Sequence, residues 1–358
     1  MLYREVGEFK TSYKGDQQVF NIGFDKIAYY CLLFIAFFVI PFFINDYWAN
    51  AILLPFLILG IASIGLNILT GYCGQVSLGS GGFMAVGAYA CYKLMTSFPE
   101  LNIIICILLS GGITAIVGAL FGLPSLRIKG FYLAVATLAA QFFLVWLFNK
   151  IPWFYNYSAS GQITAPERTF MGYPISGAEA ASVHVYLLCL TLVVILAWIA
   201  QNLTRGSIGR KWMAIRDMDI AAEIIGVNPL MAKLSAFFIS SFYVGIAGAL
   251  WFSVYLGAIE VGEAFGIEKS FLILFMIIIG GLGSILGSLL GAAFLVLMPV
   301  LLKNVMVLQF GWPVDIAAHF EFIVVGALII LFLIVEPHGF AMLWRIVKEK
   351  LRLWPFPH

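Results

Sequence analysis

Gln75, Ser77, Ser80, Thr137, Gln141, Ser284 and Ser288 are uncharged hydrogen-bonding side chains set in strongly apolar surroundings. Thr137 and Gln141, four apart, share one face of a helix. Amides and hydroxyls of this kind can line a path that hands a solute along through weak contacts. They can equally bond one helix to another where small residues let backbones approach. Both readings stand at this level. Acid–base chemistry has little to work with, because no Asp, Glu or Arg falls in the middle of an apolar stretch, where ionisable groups mark ion pathways. Cys31, Cys73, Cys91, Cys106 and Cys189 sit in or beside apolar segments without metal-like spacing, so they read as small hydrophobes. No G-x-x-x-x-G-K-[ST] phosphate loop is present.

A second group lies in Arg205–Lys233, a long interior run without a hydrophobic span, which holds Arg205, Arg210, Lys211, Arg216 and Lys233. Within it the pattern predicts a short helix from Asp217 to Ile225. Asp217 or Asp219 is the expected N-cap, and Glu223 favours the helix dipole. Gly226 stands where a left-handed residue ends a helix, and Pro229 closes the segment. Ile220, Ile224 and Ile225 share one face. Such a helix suits a protein partner or a membrane surface.

The elements that must position these groups are membrane spans. Of the 358 residues, 62% are hydrophobic and 11% charged, which excludes a soluble globular domain. The mean hydropathy is +1.01. The net charge of +2 is spread over loops and implies no nucleic-acid partner. Spans are predicted over 27–44, 51–70, 102–124, 131–148, 183–203, 234–256 and 322–335. Residues 70–96 are apolar but interrupted by glycines, which predicts a broken or tightly packed helix. Residues 270–302 are apolar throughout. As one helix they would reach ~50 Å against a hydrocarbon core of ~30 Å, so a turn at Gly280–Ser284 is expected. The two glycine clusters align loosely (GQVSLGS with GSILGS), a faint internal repeat. Residues 303–319 read as a polar connection.

With that turn, fifteen Lys and Arg lie on the side of both termini, Arg127, Lys129 and Arg205–Lys233. Five lie opposite: Lys93, Lys150, Arg168, Lys269 and Lys303. The positive-inside rule makes the first side cytoplasmic. The expected fold is all-α and polytopic, with about ten transmembrane or half-spanning helices and cytoplasmic N- and C-termini. The expected division is a cytoplasmic segment 1–26, a membrane domain 27–336 and a basic cytoplasmic tail 337–358. The loop 204–233 is then cytoplasmic, and the aromatic-rich loop 149–182 lies on the far side.

Four stretches carry a resemblance: Ile68–Ala90 (ILTGYCGQVSLGSGGFMAVGAYA), Leu123–Gln141 (LPSLRIKGFYLAVATLAAQ), Ser207–Pro229 (SIGRKWMAIRDMDIAAEIIGVNP) and Ile279–Ala293 (IGGLGSILGSLLGAA). In order and spacing the chain resembles the permease subunits of branched-chain amino acid ABC importers, nearest their LivM-like branch. The resemblance implies a multi-pass protein of the bacterial inner membrane with four kinds of partner. These are a second related permease, two cytoplasmic ATP-binding subunits, a periplasmic solute-binding protein and the lipid bilayer. ATP is used by the partner subunits, and this chain is expected to bind no cofactor or metal and to be no enzyme. Asp217–Pro229 matches the ATPase-coupling segment, its A-A-E…G core being Ala221, Ala222, Glu223 and Gly226. Gln75, Ser77, Ser80, Thr137, Gln141 and Ser284 become candidates for the translocation path. Where relatives often carry a His after S-L-G, this chain reads Ser80-Gly81-Gly82. The cargo is therefore branched-chain or related hydrophobic amino acids, or alternatively urea, short amides, or aromatic or other carboxylates. An ion-coupled secondary carrier is the reading from another class. The loops Asn149–Ser182 and Glu260–Glu268 are the candidate docks for the binding protein.

Overall fold

A computed structural model describes residues 11–12, 23–125, 132–177, 180–335 and 339–353. The expected charges Arg4, Lys10 and Lys14, the Arg127–Lys129 turn and Glu336 lie outside the described residues.

Among the described residues seven helices are long and apolar enough to cross a membrane. They are α1 (Asp25–Phe43), α2 (Asp46–Tyr72), α4 (Ile103–Leu123), α5 (Tyr132–Lys150), α6 (Ser182–Arg205), α8 (Pro229–Leu256) and α10 (Ile285–Val307). Three more apolar helices complete the all-α polytopic fold: α3 (Ser80–Ser97), α9 (Ile267–Gly280) and α11 (Val314–Val335). Two others are not spans, α7 (Ser207–Ile224) between α6 and α8, and the tail helix α12 (Gly339–Leu353). Large apolar side chains point outward, as a hydrocarbon solvent allows. Phe42 of α1 is 86% exposed, and Phe34 and Phe38 are exposed beside it.

The centre is a crossing of α3, α4 and α8 built on small residues. A methyl group on Gly87 of α3 would run into the Gly245 carbonyl of α8, and one on Gly248 into the Met84 carbonyl. The helices thus touch backbone to backbone, the arrangement small residues permit in membranes.

Both glycine-interrupted stretches break as expected. After α2 the chain leaves the helix from Cys73 to Gly79, with Gly74 at φ +72°, and α3 begins at Ser80. The 270–302 stretch turns at Gly281 (φ +115°) and Gly283 (φ +77°) between α9 and α10. At 1.5 Å per residue α9 reaches ~21 Å, short of a ~30 Å core.

Both ends of the described helical chain meet at one end of the bundle, where Lys348 Nζ of α12 lies 3.0 Å from Asp25 Oδ1 of α1. Arg205, Arg210, Lys211, Arg216 and Lys233 belong to this basic end, at the junctions of α6, α7 and α8. At the opposite end two short strands pair, Ile163–Thr164 with Ala258–Ile259. The loop 149–182 is therefore paired with the residues that immediately precede the second candidate docking loop, Glu260–Glu268.

Three expectations need correction. The helix drawn from Asp217 to Ile225 starts at Ser207, and Met218 alone interrupts it with extended backbone (φ −162°, ψ 95°). The position before the distal piece is thus Met218, so neither Asp217 nor Asp219 is an N-cap. Asp217 instead pairs with Arg216. Pro229 opens α8 rather than closing the segment, because its missing N–H costs nothing in a first turn. Asn228 caps that helix, accepting from the Met231 N–H at 3.2 Å. The polar connection drawn over 303–319 is mostly helix, α10 continuing in a wide turn to Gln309 and α11 starting at Val314.

Candidate functional site

At mid-depth α3 and α9 begin side by side and run apart, α3 toward the opposite end and α9 toward the basic end. Gln141 of α5 joins them. Its Oε1 accepts from the Gly82 N–H and from the Ser270 hydroxyl at 3.0 Å, and its Nε2 donates to the Phe265 carbonyl at 2.8 Å. Ser270 in turn accepts the Gly81 N–H at 2.8 Å. One helical turn below, Thr137 accepts the Leu78 N–H at 2.9 Å and donates to the Ala134 carbonyl at 3.0 Å. Gln141 is 1% exposed, and Ser77, Ser80 and Thr137 are buried with it. The N–H groups of Gly81 and Gly82 in the α3 first turn are thereby satisfied by side chains.

Of the six candidate path residues, Ser77, Ser80, Thr137 and Gln141 gather at this junction. Gln75 lies nearer the basic end, in the wall of a cleft of about 500 Å³ shared with Arg216, Asp217, Asp219 and Lys233. Ser284 caps α10, accepting from the Gly287 N–H at 3.0 Å. The six thus lie at three levels and form no single cavity.

Two residues that bond one helix to another, Asn67 and Ser270, had escaped the sequence reading. Asn67, a buried amide in the apolar α2, donates to the Ser284 carbonyl at 2.9 Å and to Ser288 Oγ at 2.7 Å, and accepts from the Gly283 N–H at 2.9 Å. It binds α2 to the second glycine turn. Ser270 was hidden in a continuous apolar run. A buried amide inside a span was the available signal, since such a group must find partners.

At the basic end the distal part of α7 stands clear of the bundle. Ile224 is 81% exposed, and Met218, Ile220 and Ile225 are also exposed, whereas Ala222 is buried. Ala221 and Glu223 face outward too. The segment ends at Gly226 with φ +89°, as the sequence required, and the Val227 N–H bonds back to the Ala222 carbonyl at 2.9 Å. Behind it, burial pushes the Cys73 thiol up from 9.0 to about 12, against the opposing pull of Lys233.

The sequence compares directly with known proteins. A family model described as the permease component of branched-chain amino acid transport systems matches residues 48–333. The permease protein LivM of the high-affinity branched-chain amino acid transport system of Salmonella typhimurium is 30% identical over 305 residues, covering 80% of this chain and 68% of that protein. Its Escherichia coli namesake is 30% identical over 304 residues, with the same coverage. A probable branched-chain amino acid permease LivM of Methanocaldococcus jannaschii is 24% identical over 330 residues, 81% of this chain and 92% of that protein. No solved structure matches. The matched region runs from α2 to the end of α11 and takes in both glycine turns, the Gln141 junction and the exposed segment of α7. The chain therefore belongs to the permease-component family of branched-chain amino acid transport systems, as a multi-pass membrane protein.

Proposed function

We propose that this chain is the inner-membrane permease subunit of a bacterial, binding-protein-dependent ABC importer. It would move branched-chain or related hydrophobic amino acids by ATP-driven alternating access. ATP is bound and hydrolysed by two cytoplasmic partner subunits. A second related permease completes the membrane part, and a periplasmic binding protein delivers the solute. Residues 27–336 form the permease domain, with 1–26 and the tail 337–358 cytoplasmic.

The observation that carries this reading is the α7 segment. Ile220, Ile224 and Ile225 are apolar and exposed on a short helix flanked by charge at the basic end of the bundle. A helix that offers an apolar face in water fits a groove on a partner. Asp217–Pro229 is therefore the ATPase-coupling segment, with loop 204–233 cytoplasmic and loop 149–182 periplasmic. The solute path runs past Ser77, Ser80, Thr137 and Gln141 and leaves through the cleft beside Gln75, with Ser284 at the second turn. The side chains at the junction are polar but uncharged, and the cleft beyond them carries both signs of charge (Arg216, Lys233, Asp217, Asp219), which suits a zwitterion held weakly and passed on.

The test is uptake of labelled leucine into membrane vesicles carrying the importer, with and without ATP and the ATPase subunits. Uptake that requires both supports the reading. Uptake that survives their removal, or that follows an imposed ion gradient alone, overturns it.

A further inference from the structure

We propose that Arg216 is the strut that carries motion from the α7 segment to both broken helices. The inference rests on the reading of Asp217–Pro229 as the docking segment and adds the route by which its movement enters the membrane domain.

The geometry around Arg216 is specific. One guanidinium nitrogen, Nη1, donates to the Gly71 carbonyl at 3.0 Å, in the last turn of α2. Nε lies 2.9 Å from Asp217 Oδ1, so the fork is held from both sides. A Cβ on Gly74 would meet Arg216 Cγ at 3.0 Å, and one on Gly283 would meet Nη1 at 3.5 Å. Arg216 therefore touches the first glycine turn at two points and the second at one. Those two turns are where the chain leaves α2 for α3 and α9 for α10. Asn67 ties the same turns together through Gly283 and Ser284.

The position of Arg216 along its own helix matters equally. Met218, two residues on, is the extended residue that separates the distal segment from the rest of α7. Residues 207–215 are anchored, Trp212 being fully buried and bonded through Nε1 to Ser235 Oγ at 2.9 Å. A tilt of the distal segment thus bends the chain at Met218, and Arg216 is the side chain beside that bend that reaches the half-helices. Displacement there shifts Gly71, Gly74 and Gly283, and with them α3 and α9. Their starts are bonded together at Gln141 and Ser270. Arg216 is a positioning residue: it lies in the wall of the cleft beside Gln75, but its role as a strut runs through its contacts with the two turns.

The experiment uses the complete importer in proteoliposomes, with uptake and ATP hydrolysis measured on the same samples. Arg216→Gln removes the charge and the fork. Arg216→Lys keeps the charge, but one ammonium cannot serve Asp217 and Gly71 in the same geometry. Ile224→Asp disturbs the dock and leaves the strut intact. In both Arg216 variants the ATPase subunits should still co-purify, and solute imported per ATP hydrolysed should fall about tenfold for Gln and less for Lys. In Ile224→Asp the ATPases themselves should be lost from the complex. A ratio within about twofold of wild type in both Arg216 variants overturns the proposal. So does loss of the ATPases from those variants, which would make Arg216 part of the dock. So does failure of both to insert, which would make it a folding residue. Retention of the ATPases by Ile224→Asp overturns the docking reading separately, whatever the Arg216 variants do.

Discussion

The Ser270 hydroxyl lies 3.0 Å from Gln141 Oε1, across 129 residues of sequence, and the same oxygen of Gln141 also receives the Gly82 N–H. Three helices, α3, α5 and α9, are thereby bonded at a single buried amide. Removing that amide should be costly. Gln141→Leu strands the Phe265 carbonyl and the Gly82 N–H in a dry interior, at about 1–3 kcal/mol per unpaired group. Thermal unfolding of the purified permease in detergent should show a clear drop, larger than that of Ser270→Ala. Equal stability of Gln141→Leu and wild type would refute the role given to this junction.

Asn67 should behave as a second keystone. Asn67→Leu is close in size yet leaves the Gly283 N–H and the Ser284 carbonyl without their partner. The expected loss is again about 1–3 kcal/mol per unpaired group. Asn67→Asp restores the acceptor toward Gly283 but not the donor, and brings a charge into a buried site. It should therefore be no better than Leu, as judged by yield of monodisperse protein after heating.

Gly87→Val tests the central crossing. The side chain has nowhere to go but into the Gly245 backbone, and forced overpacking of this kind costs about 1–3 kcal/mol or more. Poor membrane accumulation is expected. Gly112→Val on the neighbouring α4 meets nothing within 4 Å and should accumulate normally.

The Cys73 thiol offers a pH test. With its ionisation pushed to about 12, the reactive thiolate is a fraction of about one in ten thousand at pH 8. Burial favours the neutral form, so reactivity should stay low through the ordinary thiol range and keep rising with pH past 9 without levelling off. Maleimide labelling of folded protein at pH 7–8 should therefore miss Cys73, whereas labelling after denaturation in SDS should find it. Rapid native labelling of Cys73, mapped by peptide mass, would contradict the burial.

Gly226 should tolerate little. At φ +89° a branched residue is strained, so Gly226→Val should distort the end of the proposed docking segment while nothing within 4 Å resists its bulk. Insertion should be normal and leucine uptake reduced. Normal uptake would remove Gly226 from the coupling segment.

Spans such as 183–203 and 234–256 were legible because lipid demands long apolar helices, and that demand is written in composition. The first shifted by only one or two residues at its ends, and the second began five residues earlier, at Pro229, since Lys233 stays helical. The turn at Gly280–Ser284 was legible from length alone. Gly226 was legible because its backbone requires a residue without Cβ. Asn67 and Ser270 were not, because their partners are more than 180 residues away or in another helix, and no periodicity reports that. Arg216 hid for a different reason. Among five basic residues in one polar run, nothing local distinguishes a guanidinium aimed at a backbone carbonyl from one in solvent. The interruption at Met218 was equally silent, for Met is a good helix former.

The contact of Gly87 with Gly245 has a mechanical meaning. Side chains at an interface can trade rotamers and let two helices slide, but abutting main chains have no such slack. Around this point α3 and α8 can pivot like crossed rods held by a pin, while translation is forbidden. A tilt of either rod on one side of the pin then reappears on the other side reversed in direction.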